Sequence, residues 1–175
     1  MLYQGAAGHS NNTFVLKNKL MTVTLRPVVA SDEDFLFEVY AGTRRDEVAA
    51  WGWDAAQQNM FLKMQFNVQR RVYEAQYPQD GHHLILLDDE PVGRLWVVRS
   101  DEEIHLVDIA LLPAHRGQGI GGSLVQELLD EAARAGQPCR LQVLKSNPAA
   151  RLYARLGFVQ TGENGLYCHM EWRHI

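Results

Sequence analysis

Seven consecutive residues, Arg116-Gly117-Gln118-Gly119-Ile120-Gly121-Gly122, have the types and spacing to hold an anion. Glycines let successive backbone N–H groups turn toward one point without interference from Cβ, and a helix starting at that point adds its positive end. The run lies between an apolar stretch at 107–112 and an amphipathic one at 123–135, so it reads as a phosphate cradle between strand and helix. A connector that holds no ligand could carry the same glycines, and the flanking residues must decide. Gly117-x-Gly119-x-x-Gly122 satisfies the dinucleotide pattern literally. That pattern wants an Asp or Glu about 20 residues later for a ribose hydroxyl. Here the strand Arg140-Leu141-Gln142-Val143-Leu144 runs into Lys145-Ser146, and too little chain follows to build the remaining repeats. A Walker-type loop is excluded, because no Gly-Lys-Ser or Gly-Lys-Thr closes the run.

The elements that must position this loop are legible from periodicity. A strand is expected over 22–27, and Ser31-Asp32-Glu33-Asp34 supplies an N-cap and acidic first turn for a helix through Tyr40. Asp54 opens a long helix to about Tyr77, with Phe61, Met64, Gln65, Val68 and Val72 recurring as an expected core-facing stripe. Strands 82–87 and 91–99 flank the turn Asp88-Asp89-Glu90, and a third strand reaches Leu112. Helix 119–135 follows, with Leu124, Val125, Leu128, Leu129 and Ala132 on one face and Gly136 as its stop. Strand 140–144 should then run parallel to the strand before that helix. Another helix begins at Asn147 as N-cap with Pro148 behind it, and a hairpin around Asn164-Gly165 closes the chain. The expected class is α/β, with a mixed, centrally parallel sheet of six or seven strands and about four helices.

A chain of 175 residues, 46% hydrophobic and 22% charged, can bury one sizeable core. The net charge of −4 argues against nucleic-acid or anionic-membrane partners, which call for a basic stripe. Cys139 and Cys168 have no metal-ligand spacing, so no metal is expected and reduced thiols are. No apolar stretch approaches a membrane span and the N-terminus lacks a signal arrangement, which leads to an expected cytoplasmic location. Residues 1–20 are rich in Gly, Ser, Asn and Ala and are expected to form a flexible extension ahead of a domain spanning 21–175.

Arg116-Gly117-Gln118-Gly119-Ile120-Gly121 also fits R/Q-x-x-G-x-G/A. Ile109-Ala110-Leu111-Leu112-Pro113 precedes it, and Asn147-Pro148-Ala149-Ala150-Arg151-Leu152-Tyr153 and Leu156-Gly157-Phe158 follow. In this order the motifs resemble the GNAT superfamily of acyl-CoA-dependent N-acyltransferases, closely over 101–159 and in element order over 21–173. The resemblance implies a single GNAT-like domain with a splayed central parallel pair, using acetyl-CoA. Amides from Arg116 to Gly122 would take the pyrophosphate, and the pantetheine arm would run beside Ile109, Leu111 and Leu112, with Asn147 within reach. An N–H of Ile109 or Leu111 could stabilise the oxyanion.

Tyr153 occupies the position of the family's general acid, and a phenol of ordinary pKa about 10 suits protonation of a thiolate. The attacking amine must lose a proton, and the resemblance points to the strand before the loop, where Glu103, His105 and Asp108 are candidates beside water. His105 is poised by its ordinary pKa of about 6.5. Asp108 interrupts an apolar run, so if it points inward it needs a partner. Arg44, Arg45, Asp46, Glu47, Trp51, Trp53, Gln69, Tyr73 and Tyr77 are candidate pocket residues, and none of them names the acceptor. The expected activity is N-acetyl transfer by direct attack in a ternary complex on a small-molecule or peptide amine. The alternatives kept open are a non-catalytic acyl-CoA-binding module and, for assembly, a homodimer.

Overall fold

The computed structural model describes residues 12–16 and 19–174, with side chains from Met21 onward. One mixed sheet runs in the order β1-β2-β3-β4-β5-β6-β8-β7. Its strands are β1 Asn12–Leu16, β2 Lys19–Pro27, β3 His82–Leu87, β4 Glu90–Arg99, β5 Ile104–Leu111, β6 Cys139–Leu144, β7 Val159–Asn164 and β8 Tyr167–Trp172. The helices are α1 Glu33–Gly42, α2 Arg45–Ala49, α3 Ala55–Gln76, α4 Ile120–Ala135 and α5 Ala149–Arg155. Strands β2 to β8 answer to the seven read from the sequence. The eighth, β1, pairs antiparallel with β2 ahead of Met21, where the sequence reading began the fold. Residues 1–11 of the expected extension lie outside the described residues. Among the described residues no helix is long and apolar enough to cross a membrane.

Strand alternation divides the interior into two cores. Ile85, Leu95, Val97, Ile104 and Leu106 face α4 and α5, meeting Leu124, Val125, Leu128, Leu129 and Tyr153. Leu84 and Leu86 point the other way, to Leu36, Phe37, Tyr40, Leu62 and Phe66 of α1 and α3. The expected stripe on α3 is corrected here. Leu62 and Phe66 are the buried positions, whereas Met64, Val68 and Val72 are each more than half exposed. Both sets recur at helical spacing, so periodicity identified the helix while the sheet beneath it chose the face.

Two departures from regular pairing shape the middle of the sheet. Trp96 of β4 opposes Asp108 of β5 and Val97 opposes Leu106, so Val107 is an inserted bulge residue. The parallel pairing of β5 with β6 covers only Ile104–Leu106 against Cys139–Leu141, while β6 stays paired with β8 as far as Leu144. Beyond Leu106 the two central strands part. The Leu112 N–H donates to Val92 O at 2.9 Å. Strand alternation therefore turns the N–H and C=O groups of Ile109 and Leu111 toward the open edge.

On the opposite side of β5, Gly93 of β4 sits where a Cβ would lie 2.3 Å from the Ala110 carbonyl oxygen. Only glycine lets the two backbones approach this closely, so Gly93→Ala must push β4 off β5. A loss of about 2 kcal/mol or more is expected on thermal or urea unfolding. An alanine variant with wild-type stability would show that the strands tolerate the separation.

Candidate active site

The glycine loop ends β5 and starts α4. Gly117 and Gly119 have φ of 68° and 91°, a left-handed conformation that other residues adopt at a cost. Gly119 is the N-cap of α4 and brings no side chain to cap it. The first intrahelical bond runs from Ser123 N to Gly119 O at 2.9 Å, so the preceding amides form an uncapped N-terminus suited to an anion. Arg116 takes a different part from the other loop residues. Its amide donates to Pro113 O. Its guanidinium donates to Leu111 O at the end of β5 and to Gly42 O at the end of α1, both at 2.9 Å. The side chain thus clamps the loop to two elements, and the backbone from Gly117 onward presents the donors. A Cβ on Gly121 would meet only the tips of Ile109 and Leu111, at 3.9 and 4.0 Å, which places Gly121 beside the open edge of β5.

Tyr153 and Asp108 come from distant segments and interact electrostatically. Tyr153 projects from α5 into the core against Phe158, at 5.7 Å between ring centroids. Burial pushes its phenol well above the ordinary value, and the Asp108 carboxylate adds to the shift, so the proton is firmly held at neutral pH. The same carboxylate raises Tyr73 of α3, behind the larger effect of burial, and so lies within electrostatic reach of both rings. Asn147 is accounted for locally: its Oδ1 accepts from Ala149 N at 2.9 Å and caps α5, whose helical residues begin one position later than expected.

The base candidates occupy different surroundings. The Val107 bulge shifts the phase of β5, so that Ile104, Leu106, Ile109 and Leu111 all pack on the α4 side. Asp108 is thereby turned to the opposite face, where Arg94 Nε donates to its Oδ2 at 2.5 Å. Arg94 is buried and also donates to Gln69 Oε1 of α3 at 3.0 Å, which ties α3, β4 and β5 together. His105 lies in the part of β5 that is still paired with β6, with the Tyr77 ring at 5.7 Å. Burial lowers its pKa, partly opposed by Glu103, so the imidazole is neutral at neutral pH. Glu103 itself is bound by Arg140.

Among the pocket candidates, Gln69, Tyr73 and Tyr77 do face this region. Tyr73 and Tyr77 pack edge-on to Trp96 at 5.9 and 6.3 Å. Arg44 and Arg45 are held by Glu47 and Glu38, and Trp51 and Trp53 pack with Phe61. The sequence reading missed Arg94. Its signal was an arginine inside the apolar run of β4, matching the aspartate inside the apolar run of β5.

Comparison with known proteins agrees with this fold. The model of the acetyltransferase (GNAT) family matches residues 42–158, more than half of the chain. Mycothiol acetyltransferase of Clavibacter sepedonicus is 37% identical over 79 residues, covering 43% of this chain and 25% of that protein. L-methionine sulfoximine/L-methionine sulfone acetyltransferase of Salmonella typhimurium is 42% identical over 53 residues, covering 29% and 31%. The chain therefore spans about a quarter to a third of the length of these two relatives. PaiA N-acetyltransferase from Thermoplasma acidophilum, solved in complex with coenzyme A, superposes with a TM-score of 0.63. That superposition covers 87% of this chain and 99% of the other at 18% identity, a likeness of fold.

The Arg94–Asp108 pair generates a stability prediction. Asp108→Asn keeps the shape but strands a buried guanidinium, and should cost about 2–3 kcal/mol, less than a fully buried pair because Asp108 is partly exposed. Adding Arg94→Met should recover most of the loss in urea unfolding. If Asp108→Asn alone unfolds at the wild-type midpoint, the ion pair is not what holds Arg94.

Proposed function

Because the chain belongs to the acetyltransferase (GNAT) family, we propose that it transfers an acetyl group from acetyl-CoA to a primary amine by direct attack in a ternary complex. One observation carries this reading: the unpaired edge of β5 leads straight to an uncapped, glycine-built helix N-terminus. An extended chain ending in a pyrophosphate fits such an edge and cradle. The amides from Gly117 to Gly122 would take the phosphates. Ile109 and Leu111 would pair with the pantetheine arm through backbone groups that β6 leaves free. Acetyl-CoA supplies the activated thioester, and the remaining chemistry belongs to the chain.

An N–H of Ile109 or Leu111 would stabilise the oxyanion as the amine nitrogen bonds to the carbonyl carbon. Asp108 is the favoured group to orient the amine and receive its proton, directly or through water, since the Val107 bulge turns it onto the face that carries Gln69 and Tyr73 while Arg94 holds only its Oδ2. His105, the other candidate, lies three residues back in the paired part of β5, with the Tyr77 ring at 5.7 Å. Tyr153 would give its proton to the sulfur as the C–S bond breaks; burial keeps that proton on the phenol but makes it a weaker acid, so the transfer is driven by the negative charge developing on sulfur. The acceptor is a small-molecule or peptide amine, and free thiols at Cys139 and Cys168 suit a cytoplasmic setting.

The cradle and the acid are tested separately. Gly121→Val introduces no positive-φ strain and meets only side-chain tips in the protein, so the fold should persist. It should obstruct the slot and weaken coenzyme A binding by at least about tenfold in isothermal titration, equivalent to 1.4 kcal/mol. Unchanged affinity would remove the pyrophosphate from this loop.

Tyr153→Phe keeps the ring against Phe158 and removes only the hydroxyl. Coenzyme A affinity and melting temperature should hold while kcat falls by about 10²–10⁴-fold, the range for loss of a general acid. Single-turnover kinetics on an accepted amine read the chemical step directly, and a wild-type rate there would reduce Tyr153 to packing.

A further inference from the structure

A helix with one side in water normally carries polar and charged residues on that side. The outer face of α3 does not. Met60, Met64, Val68 and Val72 recur there at a spacing of four residues, each more than half exposed, on the side opposite Leu62 and Phe66. At the rise of an α-helix this row is about 18 Å long. Phe61, three residues before Met64, extends it, with Trp51 and Trp53 packed edge-on at 5.2 and 5.5 Å. Both indoles are themselves more than two-fifths exposed.

Charge and area select what covers this face. The exposed charged residues of α3 are Arg71 and Glu74, one of each sign, while Lys63 and Arg70 are turned to Glu33. No net charge therefore opposes a second copy of the same surface. The four row residues and two indoles together expose roughly 500–600 Å², the upper end of the largest apolar patch on an ordinary monomer. Two copies joined here would remove about 1,000 Å² of apolar surface from water, and with the bordering Gln57, Asn67, Arg71 and Glu74 would reach the roughly 1,200–2,000 Å² of a stable interface. Residues 1–11 offer Met1, Leu2 and Tyr3 as their large apolar side chains, too few to cover such a face.

We propose that this face is the interface of a homodimer, in which α3 packs antiparallel on α3 of a second copy about a two-fold axis at the level between Met64 and Val68. The row follows the ridge of every fourth residue, and two such ridges interdigitate at a crossing angle of about −50°. Methionine occupies its N-terminal half and valine its C-terminal half. The antiparallel arrangement thus sets Met64 of one copy beside Val68 of the other, and Met60 beside Val72, so that a long flexible side chain meets a short branched one at each level. Gln69 and Tyr73 point inward from the same helix to Arg94 and Trp96, so the pairing braces α3 on the Arg94–Asp108 contact.

Sedimentation equilibrium of the full chain tests the interface. At about 100 µM a species of twice 19.9 kDa should predominate. Met64→Lys and Val68→Glu, both at exposed positions, should each weaken the dimer by at least about tenfold while far-ultraviolet circular dichroism stays unchanged. Mixed together, the two variant chains should associate more tightly than either does alone, because the introduced lysine and glutamate then face each other across the axis. Val159→Glu, at an exposed apolar position on β7, should leave the dimer intact. A chain that stays monomeric overturns the proposal and leaves the face to residues 1–11 or to a different protein. A dimer that survives both α3 variants, or that Val159→Glu weakens equally, also overturns it, and no gain on mixing rules out the antiparallel pairing.

Discussion

The parting of β5 from β6 after Leu106 is the constraint on which the rest of the structure depends. A parallel pair normally bonds along its whole length, and leaving edges unpaired inside a sheet costs hydrogen bonds unless something else takes them. Here the cost is spread over several devices. The Val107 bulge bends β5 and re-aims its side chains. Strand β8 keeps β6 satisfied on its far side. Arg116 takes Leu111 O, the edge carbonyl nearest the loop, and anchors it to the end of α1. What remains open is a short run of main-chain donors and acceptors, ending at a helix N-terminus with no capping side chain. That combination suits an extended chain that ends in an anion.

A second organising contact lies on the other face of the same strands. Arg94, Asp108 and Gln69 tie β4, β5 and α3 together beneath Tyr73 and Trp96. A buried ion pair is rarely a net source of stability, because removing both charges from water offsets most of their attraction. Its value is geometric. It holds a carboxylate at a defined point on the α3 face of the sheet, within electrostatic reach of Tyr73 and Tyr153.

The local features of the fold were legible in the chain because each depends on neighbours in sequence. Asp54 caps α3 with a reciprocal bond to Gln57, Asp88 and Asp89 turn the β3–β4 hairpin with positive φ, and Gly136 ends α4 in the left-handed conformation. The spacing of the glycine loop, the Asn147 cap and Tyr153 likewise survives intact, since a strand–loop–helix unit is specified by the residues within it. The misreadings had a common origin. Met64, Val68 and Val72 have the period of a buried face, yet they look outward because Leu62 and Phe66 win the contact with α1 and the sheet.

By itself, then, the sequence determined the order of elements from β2 onward, the glycine loop ahead of α4, the tyrosine on α5 and the family to which the chain belongs, all properties of short segments and their spacing. Tertiary structure alone decided the face on which Asp108 emerges, since one inserted residue at Val107 reverses the alternation that sequence would impose. It also decided that Arg94 is Asp108's partner and that His105 stays in the paired part of the sheet. These outcomes depend on the register between strands and on which helix face wins the sheet, and both are settled by contacts among residues far apart in the chain.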